Sequence, residues 1–225
     1  MNSLRIILHL FLPLLCLPLF GEELFGAPEG DWVFEDNRLY QRDAHAPRAK
    51  LWMAVEQSGS TIYEFTLRYE GGLEDGHGGV GIHILGEGIP QGKSWGLGSS
   101  YLLWLNYDET PANSHIPAGW SVQLYQSQSN EEMILLASES APVLLKQLME
   151  NQELHVQLIY HSEESTLHIK NPNQNTTLWV ISLPESQERI GHFVALRTNG
   201  LSASFTVPYS NKSALPHSVK SHSSL

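Results

Sequence analysis

The feature that most constrains this chain is the alternation of apolar and polar residues in its last third. Residues 153–207 consist of short segments in which every second side chain is apolar, separated by turn residues. This pattern is typical of antiparallel strands with one buried face. The sequence therefore predicts an all-β fold, a two-sheet antiparallel sandwich. One short helix is predicted at 142–150, which begins with a proline and carries an apolar stripe.

The N-terminal residues predict export. Residues 1–21 hold one positive charge, Arg5, followed by an apolar run at 6–20. This pattern predicts a cleaved signal peptide and a secreted or periplasmic location. The run is too short for a good membrane span, and no later segment approaches the ~20 apolar residues that a span requires. Three further segments are predicted: a short approach at 22–30, the sandwich domain at 31–209 and a disordered tail at 210–225.

Cysteine content and charge exclude several classes of protein. The only cysteine, Cys16, lies within the predicted signal peptide, so the mature chain would have no disulfide. An exported domain without disulfides favours a bacterial source. The formal net charge of −11 repels phosphate backbones and anionic lipid heads, so we expect no nucleic-acid partner.

Alternation also assigns side chains to faces. The predicted core includes Phe65, Leu103, Trp120, Leu158 and Phe205. If the segments between 49 and 126 lie in one sheet, the opposite face carries aromatic, amide and charged side chains. We predict that these bind a ligand, because aromatic rings stack on sugar rings while amides and carboxylates meet hydroxyl groups. The alternative is an ordinary half-solvated sheet face. The predicted ligand-binding residues are Trp52, Glu64, Arg68, His83, Trp104, Asn106, Gln123 and Tyr125.

Trp104 is the predicted main contact. It alternates with Tyr101, Leu103, Leu105 and Tyr107, which make the better core face. We therefore expect its ring to be exposed on the ligand-binding face.

Several segments together carry a family resemblance. They are Asp31-Trp32, Asn37–Gln41, Tyr63–Leu67, Gly79–Ile84 and Gly191–Phe205. The chain resembles the concanavalin A-like lectin/glucanase superfamily over most of 31–207. It is most similar to the bacterial laminin-G-like and keto-disaccharide-hydrolase-type branches. The resemblance implies two curved antiparallel sheets in a jelly roll, often with glycan binding on the concave face.

The chain departs from the catalytic branches of that superfamily. The hydrolase-type branch usually has Asn-Ser-Gly before its central strand, where this chain has Gly78-Gly79-Val80. The glucanase motif Glu-x-Asp-x-x-Glu does not occur. Retaining glycosidases need two carboxyl groups about 5–5.5 Å apart, and Glu64 is the only carboxylate on the predicted face before Asp108. The sequence leaves enzymatic activity open but argues against it, and we predict no catalytic residue.

The sequence predicts no cofactor other than a calcium ion, for which one oxygen-rich loop is the candidate site. Asp108, Glu109 and Asn113 resemble loops that hold calcium in laminin-G-like domains. Two function classes remain. The first is an exported, non-catalytic module that recognises a glycan or a surface partner. The alternative is a structural or assembly protein of the bacterial periplasm or envelope, such as a filament or surface coat component. A glycan-cleaving enzyme is a third, less favoured class.

Overall fold

The structure is a computed structural model, which describes residues 29–87, 94–141, 150, 153–172, 176–184 and 189–211. The described residues form no helix, and so no helix long and apolar enough to cross a membrane. The predicted helix falls outside them except for Glu150, which lies in a turn. The predicted signal peptide with Cys16 and nearly all of the predicted tail also lie outside them.

The strands are β1 (Trp32–Glu35), β2 (Arg38–Gln41), β3 (Ala49–Gln57), β4 (Thr61–Gly72), β5 (His77–Gly86), β6 (Ser100–Asp108), β7 (Gly119–Ser127), β8 (Met133–Ser140), β9 (Leu154–His161), β10 (Thr166–Asn171), β11 (Thr176–Ser182), β12 (Gly191–Asn199), β13 (Leu201–Thr206) and β14 (Tyr209–Ser210).

These strands form two antiparallel sheets. The six-stranded sheet has the order β3-β12-β5-β6-β7-β8. The eight-stranded sheet has the order β1-β2-β13-β4-β9-β10-β11, with β14 paired to β4. The predicted all-β, two-sheet antiparallel sandwich is thereby confirmed.

One apolar cluster fills the space between the sheets, as the alternating pattern dictates. Both sheets contribute to it, for example through Leu103 of β6 and Phe205 of β13. Leu103, Phe65, Leu158 and Phe205 are between 0 and 5% exposed, which confirms them as core residues. Trp120 is only partly buried, and it packs against the cluster with its ring 4.9 Å from that of Tyr107.

A buried amide ties the two sheets together. Gln57, at the end of β3, has no exposed surface. Its Oε1 accepts hydrogen bonds from the Tyr63 hydroxyl of the eight-stranded sheet (2.6 Å) and from the Leu85 backbone N–H (2.8 Å). Its Nε2 donates to the carbonyls of Val55 and Phe193, both at 3.0 Å. A polar group inside an apolar core is tolerated only when its hydrogen bonds are made, and here they are.

We expect Phe205→Ala to lower the free energy of unfolding by about 3–5 kcal/mol, because it leaves a cavity between the sheets. Phe34→Ala is the matched control: its ring is 50% exposed, so the loss should stay within about 1 kcal/mol. Urea titration of both variants checks this. Near-wild-type stability of Phe205→Ala would contradict the assigned core.

Candidate functional site

Strand register aligns a row of side chains across the six-stranded sheet. We call the side turned away from the core the outer face. In the pairing, Lys50 of β3 lies opposite Arg197 of β12, and Arg197 lies opposite Gly81 of β5. Gly81 pairs with Trp104 of β6, and Trp104 pairs with Gln123 of β7. Since paired residues point to the same face, these five positions form one row on the outer face.

Two glycines of β5 make room for the Trp104 ring. A Cβ placed on Gly79 would lie 2.4–2.6 Å from three atoms of the indole, and one on Gly81 would lie 3.0 Å from its Cε3. The indole therefore covers the bare backbone of β5. The Arg197 guanidinium approaches the same ring, with Cζ 5.2 Å from the ring centroid. At this distance the cation contacts the aromatic face.

A cleft of about 390 Å³ opens on the outer face. Trp95, 45% exposed, lies in the segment before β6 and lines it together with Trp104 and Tyr125. Further lining side chains are His77, Asn106, Asp108, Ile116, Glu131, Met133, Arg197 and Asn199.

Hydrogen bonds fix the orientation of the lining side chains. Trp104 Nε1 donates to Asn106 Oδ1 at 3.0 Å, which leaves the Asn106 NH₂ group available as a donor. The Tyr125 hydroxyl donates to Gln123 Oε1 at 2.6 Å, and Gln123 Nε2 donates to the Ser121 hydroxyl at 2.8 Å. A rigid surface that combines aromatic rings with amides and hydroxyls suits a ligand that has both apolar and hydroxyl-bearing faces.

Basic groups lie beneath one side of the cleft. Lys50 Nζ donates to the Ser94 hydroxyl (2.6 Å) and the Gly96 carbonyl (2.9 Å). Burial and, next, the Arg197 charge lower the pKa of Lys50 to about 8. Burial followed by the Arg48 charge lowers the pKa of Arg197 to about 10. Both cations are charged at neutral pH despite their burial.

The structure separates two of the predicted residues from the rest. Glu64 and Arg68 belong to β4, which lies in the eight-stranded sheet, so the prediction that they share a face with Trp104 is wrong. Glu64 accepts a hydrogen bond from Gln157 (3.1 Å), and Arg68 forms an ion pair with Glu153 (2.9 Å). The alternation of Glu64 and Arg68 with the apolar residues of β4 was predicted correctly. The sheet to which β4 belongs depends on long-range strand pairing, which alternation does not show.

The other predicted residues lie on the six-stranded sheet but differ in access. Trp104, Asn106 and Tyr125 line the cleft. His83 and Gln123 have no exposed surface, so their burial contradicts a direct ligand contact. Burial and the charges of Arg197 and Lys50 lower the pKa of His83 well below 6.5, and the imidazole is neutral.

The two predicted tryptophans, Trp52 and Trp104, differ in how they lie relative to the cleft. Trp52 lies beside the cleft residues without lining the cleft, with its ring 5.3 Å from that of Phe193 in an edge-to-face contact. Trp104 is only 7% exposed, so its predicted exposure is wrong. Its predicted register is right, because Tyr101, Leu103 and Leu105 belong to the core cluster between the sheets and Trp104 does not.

The oxygen-rich loop uses its side chains internally. Asp108 Oδ1 accepts the Thr110 N–H and Asn113 Oδ1 accepts the His115 N–H, each at 3.0 Å. Glu109 accepts the Tyr107 hydroxyl at 2.8 Å. Across the described residues, no three His, Cys, Asp or Glu side chains come together as a metal site. One oxygen of each of these three side chains is thus used within the loop, whereas a calcium ion takes six to eight oxygen ligands.

Sequence reasoning missed Trp95 and Arg197 as cleft residues. Trp95 lies in a glycine-rich loop, where alternation gives no information. Arg197 could have been found from the sequence, because it alternates with Val194, Leu196 and Thr198 in the segment that forms β12. A charged residue at an outer position of a strand that is otherwise buried marks a candidate site.

Solved structures with this fold include a carbohydrate binding module, a carbohydrate recognition domain and a legume lectin-like domain. The carbohydrate binding module CBM66 from Bacillus subtilis has a TM-score of 0.56 at 13% identity, covering 84% of this chain and 96% of its own. The Emp46p carbohydrate recognition domain, potassium-bound form, has a TM-score of 0.55 at 12% identity, covering 85% and 90%. A legume lectin-like domain from Entamoeba histolytica has a TM-score of 0.52 at 11% identity, covering 84% and 90%.

These similarities establish the fold alone. They are consistent with the concanavalin A-like jelly roll that the sequence resembles, while the laminin-G-like or hydrolase-type branch stays a prediction. No family model matches the chain, and no curated protein matches it.

The lowered pKa of Lys50 predicts a rise in stability at alkaline pH. Between about pH 8 and 10.5 the unfolded chain binds a proton that the folded protein has lost, so the free energy of unfolding increases with pH in this window. We expect wild type to gain about 2 kcal/mol relative to Lys50→Met between about pH 7.5 and about pH 9.5. Urea titrations at both pH values measure it. Lys170→Met, on the other sheet, is the control, and an equal pH response in all three proteins would contradict the prediction.

We expect Trp104→Ala to destabilise the protein by about 3–5 kcal/mol, although its ring lies outside the core between the sheets. The indole is nearly buried and covers the backbone of β5, so its loss exposes that strand and leaves a cavity. Thermal melting checks this against Trp95→Ala, whose half-exposed ring should contribute less than about 1.5 kcal/mol. Equal losses in the two variants would contradict the assigned burial.

Proposed function

We propose that this protein is a non-catalytic glycan-binding module and that its ligand binds in the cleft on the outer face of the six-stranded sheet. The observation that carries the proposal is the exposed Trp95 ring beside a preorganised set of polar groups, including Asn106 and Asn199. An exposed aromatic ring supplies the stacking surface for a sugar, and the amides supply directional hydrogen bonds. The fold shared with sugar-binding modules and lectins supports the proposal.

We propose further that the chain is exported. Its support is the sequence pattern of Arg5 and the apolar run at 6–20. An exported recognition module would meet glycans outside the cytoplasm. A calcium ion at Asp108, Glu109 and Asn113 stays a proposal, and addition of a chelator to a binding assay tests it.

The binding test uses Trp95→Ala. If this ring is the stacking platform, the variant should lose at least about 2 kcal/mol of affinity for the best ligand on a glycan array, while its melting temperature changes little. Phe34→Ala is the matched control, since it removes a ring of similar exposure from the other sheet. Titration calorimetry measures both. Unchanged affinity of Trp95→Ala would place the glycan outside the cleft.

The alternative, a structural or assembly role in the envelope, rests on a different observation. The edge strands β8 and β11 carry exposed apolar side chains, with Ile134 at 41%, Leu178 at 42% and Val180 at 52% exposure. Exposed apolar edge strands are sites where another chain can pair. Concentration-dependent association that Val180→Lys abolishes, in a protein that binds no glycan, would favour this role.

A further inference from the structure

Arg197 forms the floor of the cleft. Its side chain lines the cleft although only 2% of the residue is exposed. It lies between Trp104 and Trp95, with Cζ 5.2 Å and 5.5 Å from the two ring centroids. Of the charged side chains on this face it is therefore the one that a ligand bound between the two tryptophans would meet.

The hydrogen-bonding groups of the Arg197 guanidinium are only partly satisfied. Its Nη1 donates to the Trp95 carbonyl and lies 3.8 Å from the Met133 sulfur, while its buried Nε has no partner in the described part of the chain. Within the same residues, Arg197 forms no ion pair, in contrast to Arg38, Arg42 and Arg68. A buried guanidinium without a carboxylate is unfavourable, and the group that satisfies it best is an anion with two oxygens.

Neighbouring cations strengthen the positive potential. The Arg48 guanidinium lies 4.0 Å from the Trp95 ring centroid, and Lys50 is next to Arg197 in the row across the sheet. The Lys50 ammonium donates to neutral oxygens of Ser94 and Gly96, which leave its charge unbalanced. Among the described residues, Glu29 is the one carboxylate whose charge raises the pKa of Lys50 and of Arg197. In the described part of the chain, these three cations outnumber the nearby carboxylates of Glu29 and Glu131, so this part of the cleft has a net positive charge in a chain whose net charge is −11.

The two acidic groups of the cleft, Asp108 and Glu131, differ in their position relative to this centre. Asp108 is four residues beyond Trp104 on β6, which corresponds to about 13 Å along the strand. Glu131 is on the loop between β7 and β8, which reaches the Trp95 segment through a hydrogen bond from Gly96 N–H to the Asn130 carbonyl (2.9 Å), and its side chain is exposed to solvent. The charge of the cleft therefore changes along its length. Cations lie near Trp95, whereas amides and a carboxylate lie toward Asp108.

We propose that the cleft binds an acidic glycan, with a carboxylate or sulfate group of the sugar on Arg197 between Trp95 and Trp104. The rest of the sugar then extends along β6, where Asn106 and Asp108 meet its hydroxyl groups. This proposal rests on the proposed glycan-binding function and names its ligand class. Carboxylate and sulfate share the chemistry of anionic oxygens, and the test separates them.

The test titrates the protein with acidic oligosaccharides, each paired with a neutral partner of the same backbone. The pairs are trigalacturonate and its methyl ester, sialyllactose and lactose, and a sulfated disaccharide and its desulfated form. We expect at least one acidic member to bind ~10-fold or more tightly than its neutral partner, and the pair that responds identifies carboxylate or sulfate. Its affinity should fall with added salt.

Variants test whether the preference for the acidic ligand depends on Arg197. Arg197→Gln should lower the affinity for the acidic ligand to that for its neutral partner. Arg197→Lys should restore part of the preference for the acidic ligand. If Arg197→Gln does not fold, Arg48→Gln decides, with an expected loss of about 3-fold for the acidic ligand alone. Arg42→Gln is the matched control, because this exposed arginine pairs with Glu35 away from the cleft.

The outcomes separate this proposal from the one on which it rests. Equal affinity for acidic and neutral partners, or binding of neutral glycans only, overturns the acidic ligand and leaves the glycan-binding function in place. An unchanged acidic preference in Arg197→Gln, or in Arg48→Gln where the first does not fold, overturns the assignment of the anion to this cluster. If no member of these pairs binds, the acidic ligand is overturned, and the glycan array decides the glycan-binding function separately.

Discussion

The outer face of the six-stranded sheet depends on the missing side chains of Gly79 and Gly81. Because β5 has bare backbone at these positions, the Trp104 indole can lie flat across it, and Arg197 can reach the ring from β12. A side chain at Gly79 would overlap the indole, and one at Gly81 would overlap the Leu103 carbonyl and crowd the indole. The cleft walls, the burial of Trp104 and the position of the guanidinium all follow from this close approach.

The net charge of the chain is negative, whereas the charge of its cleft is positive. The net charge of −11 gives the protein a negative long-range field, whereas Arg48, Lys50 and Arg197 make the cleft positive at short range. Salt screens the long-range field over about 10 Å, so it acts mainly on the rate of encounter. The short-range cluster affects the dissociation rate of a bound group and the selectivity for its charge.

Alternation in the sequence was sufficient to predict the two-sheet fold and the core positions of Phe65 and Phe205. It also placed Trp104 on the correct face. It could not show that β4 leaves the sheet of β5 and β6, because strand pairing is a long-range choice that period-two patterns do not encode. It could not show the burial of Trp104 either, since that depends on glycines of a neighbouring strand and on an arginine far along the chain.

The amide of Gln57 has a consequence for how the cleft can move. It joins β3 to the backbone of Leu85 and Phe193 and to the hydroxyl of Tyr63 across the core. The two sheets cannot slide or separate at this end without breaking buried hydrogen bonds, each of which is costly to leave unmade. The strand-borne walls of the cleft therefore belong to one cooperative unit. A ligand meets them already assembled, and the entropy lost on binding falls mainly on the ligand and on the loop that carries Trp95.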